Sequence, residues 1–303
     1  MKLIVFSFLF VNLSATWAMT SSSNCAVFGV GVLGTSLCRQ ILDAYPKAEV
    51  TGITKTTNRH EEILSHVGGT HSGRFHLCTS DQVNQKYENV IFCAPPSGFE
   101  DYAGAVKEVI DNVWSGPENK GVFIFTSSGG IYGAGNRQSI TENSPVADPK
   151  ENPRVARLIG AEEVVRAAGG CCLRLAGLYN LQRGPHNFWL TSGKAVSGGP
   201  DGIINMLHYD DAAGACVAAL KADPDQTRGK NFLISDGHPL SRKQICEAAL
   251  QASIYQANSM PEFLGSDDPL SNLGKAYDGT FSNQVLQWKP EYESMFSYFR
   301  QHQ

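Results

Sequence analysis

Gly29-Val30-Gly31-Val32-Leu33-Gly34 lies between a short apolar run, residues 25–28, and a segment, 31–45, whose apolar side chains Val32, Leu33, Leu37, Ile41 and Leu42 recur at helical spacing. This is G-x-G-x-x-G in the context that gives it meaning, after a predicted strand and opening a predicted helix. The first glycine permits a tight turn, the second lets backbone approach a diphosphate, and the third lets helix and strand pack closely. The free N–H groups at the start of the helix then face the phosphates. The competing reading is a glycine-rich turn kept for packing alone.

Outward from this turn, strands and helices alternate. Residues 49–54 read as the second strand, 61–66 as a short helix and 75–78 as a third strand. Residues 90–93 make a fourth, stopped by Pro95-Pro96, and 102–113 are helical. The continuous apolar character of 122–126 suits a parallel strand buried on both faces. A helix then runs over 153–168, with Asn152 as cap, Pro153 at its first position and Gly169-Gly170 at its end. Residues 171–176 form the sixth strand. The alternation predicts an α/β fold, a Rossmann doubly wound parallel sheet over 24–176. After Gly177 the pattern loosens, and 184–202 are rich in glycine and polar residues. Residues 177–303 read as a smaller C-terminal substrate lobe, with one or two strands, such as 232–234, returning to the sheet and a helix over 241–251.

With 303 residues, 25 Lys and Arg, 29 Asp and Glu and a formal net charge of -4, the chain gives no electrostatic reason to expect a nucleic-acid partner. None of the eight cysteines forms a C-x-x-C pair, so no metal site is expected, and most read as reduced, buried small hydrophobes. Residues 1–18 differ. Lys2, an apolar run over 3–11 and Thr16-Trp17-Ala18 resemble a secretory signal peptide, too short for a membrane span. Either this segment begins an import signal routed through the secretory pathway, to an organelle such as a plastid, or Met19 is the true start and the protein is cytoplasmic. No membrane association is expected of the mature form, and the oligomeric state is open.

The end of the second strand bears on cofactor choice. Proteins that bind NAD commonly place an Asp or Glu there for the ribose 2′-hydroxyl. This chain has Gly52-Ile53-Thr54-Lys55-Thr56-Thr57-Asn58-Arg59. It lacks the acid, and Lys55 and Arg59 could meet a 2′-phosphate, which favours NADP over NAD; the competing reading is that both are solvated loop charges. The candidate cofactor-binding set is Gly29, Gly31, Val32, Leu33 and Gly34 in the turn, Thr54, Lys55, Thr56 and Arg59 after the second strand, and Ala94, Pro95 and Ser127 after the fourth and on the fifth.

Four further segments recur in a familiar order. They are 126–133 (T-S-S-G-G-I-Y-G), 173–179 (L-R-L-A-G-L-Y), 206–211 (M-L-H-Y-D-D) and 283–292 (N-Q-V-L-Q-W-K-P-E-Y). Together they resemble the extended short-chain dehydrogenase/reductases, the NAD-dependent epimerase/dehydratase superfamily, in its atypical, YeeZ-like form. The resemblance implies a Ser that orients a substrate oxygen, matched by Ser128, and a Y-x-x-x-K pair that moves the proton. Aligning Ala161-Glu162 puts Arg154 and Leu158 at those two positions, so the pair is missing. Tyr132 is the replacement candidate for acid–base work, otherwise for substrate packing or a structural hydrogen bond. Tyr179, His186 and His208 are further substrate-side candidates, with His208 read chiefly as a structural hydrogen-bonding residue. Arg174 either binds an anionic substrate group or pairs with an acid such as Asp210. The reading is an NADP-dependent oxidoreductase or epimerase-type enzyme acting on a small polar substrate. The alternatives are a non-catalytic NADP-binding sensor or structural module, and a scaffold with an empty cleft.

Overall fold

The computed structural model describes residues 24–303, except 72, 120, 134 and 266–272. Among the described residues, seven parallel strands form the main sheet: β1 (Asn24–Phe28), β2 (Glu49–Thr54), β3 (Phe75–Thr79), β4 (Asn89–Phe92), β5 (Phe123–Ser128), β6 (Cys171–Leu175) and β7 (Asn231–Ile234). Their spatial order is β7-β6-β5-β4-β1-β2-β3. The order reverses direction at β1 and β4, and in open α/β sheets the crevice at such a switch point binds ligands. The expected fold class is the one observed.

Both faces of the sheet are covered, which is why its strands are apolar throughout. On one face α1 (Val32–Ala44) and α2 (His60–His71) pack with α6 (Tyr209–Lys221) over a core that includes Leu37, Ile41, Ile91, Leu173 and Phe232. On the other, α3 (Tyr102–Asn112) and α4 (Pro153–Ala167) enclose Phe92, Val106, Phe125, Leu158 and Val165. Helix α2 runs on through Gly68-Gly69, past the expected end at 66, because Ile63 and Val67 are both anchored in the first core.

The second lobe begins earlier than the sequence pattern suggests. A strand at Asn136–Ile140 leaves the Rossmann segment and pairs in parallel with Gly274–Tyr277. Ile203–Ile204 and Leu240–Ser241 complete that small mixed sheet. A third core of Tyr179, Leu190, Met206, Ile245, Tyr255 and Phe299 lies under it. Within the stretch read as loop, α5 (Pro185–Thr191) forms, starting at a proline and burying His186 and Leu190. Two turns are too short to register as periodicity, so tertiary burial rather than pattern stabilises this helix.

The leader-like segment at 1–18 lies outside the described residues. Among the described residues no helix is long and apolar enough to cross a membrane, and no group of His, Cys, Asp and Glu is arranged to hold a metal ion. All eight cysteines are free.

Candidate functional site

At the carboxyl ends of β1, β2, β4, β5 and β6 lies a cleft of about 610 Å³, within the usual range for a small-molecule site. Its floor is the glycine turn. Gly29 has φ +89°, and a Cβ there would lie 2.5 Å from the Ala94 backbone nitrogen. A Cβ on Gly34 would lie 2.4 Å from the Gly29 carbonyl oxygen. Internal packing therefore explains these two glycines. It does not explain Gly31, whose Cβ would meet nothing within 4 Å. That open space adjoins the first turn of α1, which has no side-chain cap and no acidic residue. A side chain at Gly31 would fill a cradle that the fold itself leaves vacant, and the N–H groups there need an acceptor from outside. The turn thus fits a dinucleotide diphosphate, and packing alone does not account for it.

The candidate cofactor residues Gly29, Gly31, Val32, Leu33 and Gly34 share this cleft with Thr54, Lys55, Thr56, Arg59, Ala94, Pro95 and Ser127. At the end of β2 the Thr54 hydroxyl donates to the Thr56 carbonyl (3.0 Å), which shapes the loop carrying Lys55. Lys55 Nζ rests on the Gly98 carbonyl (3.2 Å). Arg59 grips Glu62 with two hydrogen bonds of 2.7 and 2.9 Å, which hold the Glu62 carboxyl below its ordinary range. Arg183, from the second lobe, lines the same cleft and adds to that lowering. Tyr102 donates to the Ala94 carbonyl (2.7 Å) and so fixes the turn after β4.

Ser128 ends β5 half-buried and lines the cleft. Its Oγ accepts the Gly130 N–H (3.1 Å), which leaves the hydroxyl proton free to donate. Its neighbour Ser127 points the other way, donating to Glu162 Oε1 (2.6 Å). The family's Tyr and Lys positions both face the cleft here: Arg154 lines it from the first turn of α4, and Leu158 lines it one turn later while also packing into the core. Arg157 is committed elsewhere, donating to the carbonyls of Pro96 (2.7 Å) and Phe99.

Four expectations need correcting. Tyr132 does not line the cleft. Its hydroxyl accepts from Arg174 Nη1 (2.8 Å) and donates to the Glu142 carbonyl (3.3 Å), and burial raises its pKa. It is a structural hydrogen-bonding residue under the sheet's end. Arg174 neither meets a ligand nor pairs with Asp210. It forms a buried bidentate pair with Glu162, 2.7 and 3.1 Å. Asp210 instead accepts from Ser36 and Arg39. Tyr179 is fully buried, with its ring stacked on Phe299 and edge-on to Tyr298. His186 is likewise sealed, edge-on to Tyr255 and Phe299. Size and aromaticity, which suggest substrate contact in a sequence, here serve the second lobe's core. His208 takes the structural role read for it: its Nδ1 accepts the Asp210 N–H (3.2 Å) and caps α6.

Burial lowers the His186 pKa from 6.5 to about 4. The unfolded chain therefore binds a proton over that interval that the folded chain refuses, and this contribution to stability is lost as pH falls from about 6.5 towards 4. His186→Phe should keep the packing and remove the titration. Urea unfolding at pH 7 and pH 5 should show a shallower acid-side loss in the variant. An equal loss in the two proteins would place the imidazole in solvent.

Sequence reasoning passed over Arg183 and Tyr209, both of which line the cleft, and set Arg154 aside as unable to carry a proton. The signal for Arg183 and Tyr209 was weak, because each sits in a segment whose path over the cleft is a tertiary fact.

The fold and cleft together define a two-lobed α/β architecture, a seven-stranded Rossmann-like sheet with a small mixed C-terminal sheet, as in the extended short-chain dehydrogenase/reductases. No family model and no curated protein matches the sequence. Solved structures do match in fold. A functionally unknown conserved protein from Silicibacter pomeroyi superposes with TM-score 0.70 at 17% identity, over 91% of this chain and 96% of that one. The human epimerase family protein SDR39U1, with NADPH, gives 0.69 at 12% identity, over 92% and 98%. dTDP-glucose 4,6-dehydratase from Bacillus anthracis, in complex with NAD, gives 0.68 at 15% identity, over 92% and 96%.

Proposed function

We propose that the chain binds NADP(H) in this cleft and acts as an oxidoreductase or epimerase-type enzyme on a small polar substrate. One observation carries the cofactor choice. Among the described residues the β2 end of the cleft is lined by the cations Lys55 and Arg59, of which Arg59 pairs with Glu62, and no Asp or Glu lines the cleft itself. The chain as a whole carries more acids than bases, 29 against 25, so the composition does not account for such a wall. A cleft of one sign focuses the field and selects anions. Lys55 and Arg59 follow the strand end at which NAD-binding folds commonly carry an acid for the 2′-hydroxyl, and the absence of an acid from residues 52–59 supports the 2′-phosphate reading.

Bound nicotinamide would supply or accept hydride. Ser128 would then orient the reacting oxygen with its free hydroxyl proton, the apolar side chain of Leu158 would border the ring's site, and solvent water would deliver the proton that the usual Tyr provides.

The test of the cofactor reading is a fluorescence titration with NADPH and NADH. One or two charge-assisted hydrogen bonds to the extra phosphate should favour NADPH by roughly 10- to 100-fold. Lys55→Ala combined with Arg59→Ala should bring the two affinities together. Equal affinities in the native chain would overturn it.

A second reading, a non-catalytic NADP(H)-binding module, has one observation in its favour: the Tyr132 hydroxyl is tied to Arg174 beneath the cleft and is not available to substrate. Under that reading NADPH binds, yet a panel of small carbonyl compounds gives no oxidation above the rate without protein. A turnover lost in Ser128→Ala would remove it.

A further inference from the structure

We propose that Arg154, acting beside Ser128, forms a subsite for an oxyanion, a carboxylate or phosphate on the small molecule that shares the cleft with the nucleotide. The proposal rests on the nucleotide reading of the same cleft and gives it a substrate class.

The argument starts from position. Arg154 lies in the first turn of α4, and Leu158, one turn on, lines the same wall. Helix α4 packs against β5 and against the turn Gly129–Tyr132 that follows Ser128. Arg154 therefore belongs to the β5 end of the cleft. Lys55 and Arg59 belong to the β2 end. In the sheet order β5-β4-β1-β2, three inter-strand steps separate the two ends, about 14 Å at ~4.8 Å per step. One phosphate cannot engage both, so the charge at Arg154 calls for a second anion.

The surroundings of Arg154 agree. Its side chain is exposed to the cleft, and no hydrogen bond or ion pair of its guanidinium is found among the described residues; Asn152, the cap, binds the backbone N–H groups of 154 and 155. The neighbouring basic residues of α4 and the strands are already engaged: Arg157 with two carbonyls, Arg174 with Glu162. Arg154 also sits at the end of α4 where a cation is disfavoured by the helix dipole, and the first turn holds no acid to offset it. Its guanidinium offers a planar pair of donors that matches a carboxylate or phosphate edge. Ser128 adds a hydroxyl donor from the strand side. In the resembling family this helix position carries the proton-moving Tyr. Here the same place holds a fixed positive charge, which binds an anion and transfers no proton.

The experiment uses the full chain loaded with NADPH. Oxalate and inorganic phosphate are titrated separately, with oxamide as the neutral counterpart of oxalate, and binding is read by the NADPH fluorescence change and by calorimetry. Saturable binding of at least one of the two anions, and none of oxamide, is expected. Arg154→Ala should weaken that anion about tenfold or more while leaving NADPH affinity within about twofold, and Arg154→Lys should recover part of the loss, since a point charge keeps attraction without the bidentate fork. The arm that saturates identifies the carboxylate or the phosphate as the chemistry selected. The proposal is overturned by anion binding unchanged in Arg154→Ala, or by no saturable binding of either anion to the loaded chain. A parallel fall in NADPH affinity would also overturn it, by assigning Arg154 to the nucleotide. Failure of the chain to bind NADPH at all is a separate result, visible before any anion is added, and strikes the nucleotide reading instead.

Discussion

Gly31→Ala is expected to leave the melting temperature of the nucleotide-free protein unchanged and to cut NADPH affinity on the order of a hundredfold, the equivalent of one or two charge-assisted hydrogen bonds lost from a displaced diphosphate. Gly29→Ala is expected to do the reverse of sparing the fold. At φ +89° and 2.5 Å from the Ala94 nitrogen, the new methyl group meets backbone that has no flexible end to move aside. Positive φ alone costs on the order of 1–3 kcal/mol for a residue with a Cβ. With the overlap added, the melting temperature should fall by roughly 5–10 °C. The contrast between the two variants is the informative quantity. Both glycines belong to one motif, yet the protein's own atoms account for Gly29 and do not account for Gly31. Differential scanning fluorimetry with and without NADPH separates them: Gly31→Ala loses the nucleotide-induced shift at a normal starting temperature, whereas Gly29→Ala starts low. If Gly31→Ala keeps the full NADPH shift, the diphosphate does not lie on this turn.

That contrast also shows what a sequence can and cannot disclose. The turn, the alternation of strands and helices and the cationic end of β2 are local features, and each was legible because three to sixteen consecutive residues carry it. The cap at Asn152 and the proline at 153 marked α4 to within a residue. The errors have one physical origin. Tyr132, Arg174, Tyr179 and His186 are chemically capable residues, and whether such a residue faces a cleft or a core depends on elements far away in the chain. Arg174 lies on a strand buried at every position, where its charge is tolerable because Glu162 arrives from α4. The strand at 136–140 carries no strand signal because four of its five residues, Asn136, Arg137, Gln138 and Ser139, are polar and exposed, and its pairing partner lies more than a hundred residues on. Arg154 is too basic to donate a proton usefully, and its place in the cleft lining follows only from α4 packed against β5.

Arg174→Met is expected to destabilise the chain by about 3–5 kcal/mol, the usual cost of leaving a buried charge without its partner. Glu162 is fully buried, and with Arg174 removed it keeps the Ser127 hydroxyl as its remaining side-chain partner. Tyr132 and the Glu142 carbonyl lose a donor in the same step. Glu162→Gln should cost less, since the amide oxygen can still accept from Arg174 and the guanidinium keeps its bonds to Tyr132 and the Glu142 carbonyl. The double variant Arg174→Met with Glu162→Met should be less destabilised than the sum of Arg174→Met and Glu162→Met, because a matched apolar pair carries no buried charge. Chemical denaturation of the three proteins decides it, and additive losses would mean that the two groups are not coupled. Function follows from the same geometry. The pair joins β6 to α4 and, through Ser127, to β5, and so fastens the helix that carries Arg154 to the strand that ends in Ser128. NADPH should still bind at the glycine turn of Arg174→Met, while affinity for the anion held at Arg154 should fall, because the two donors would no longer be held in register.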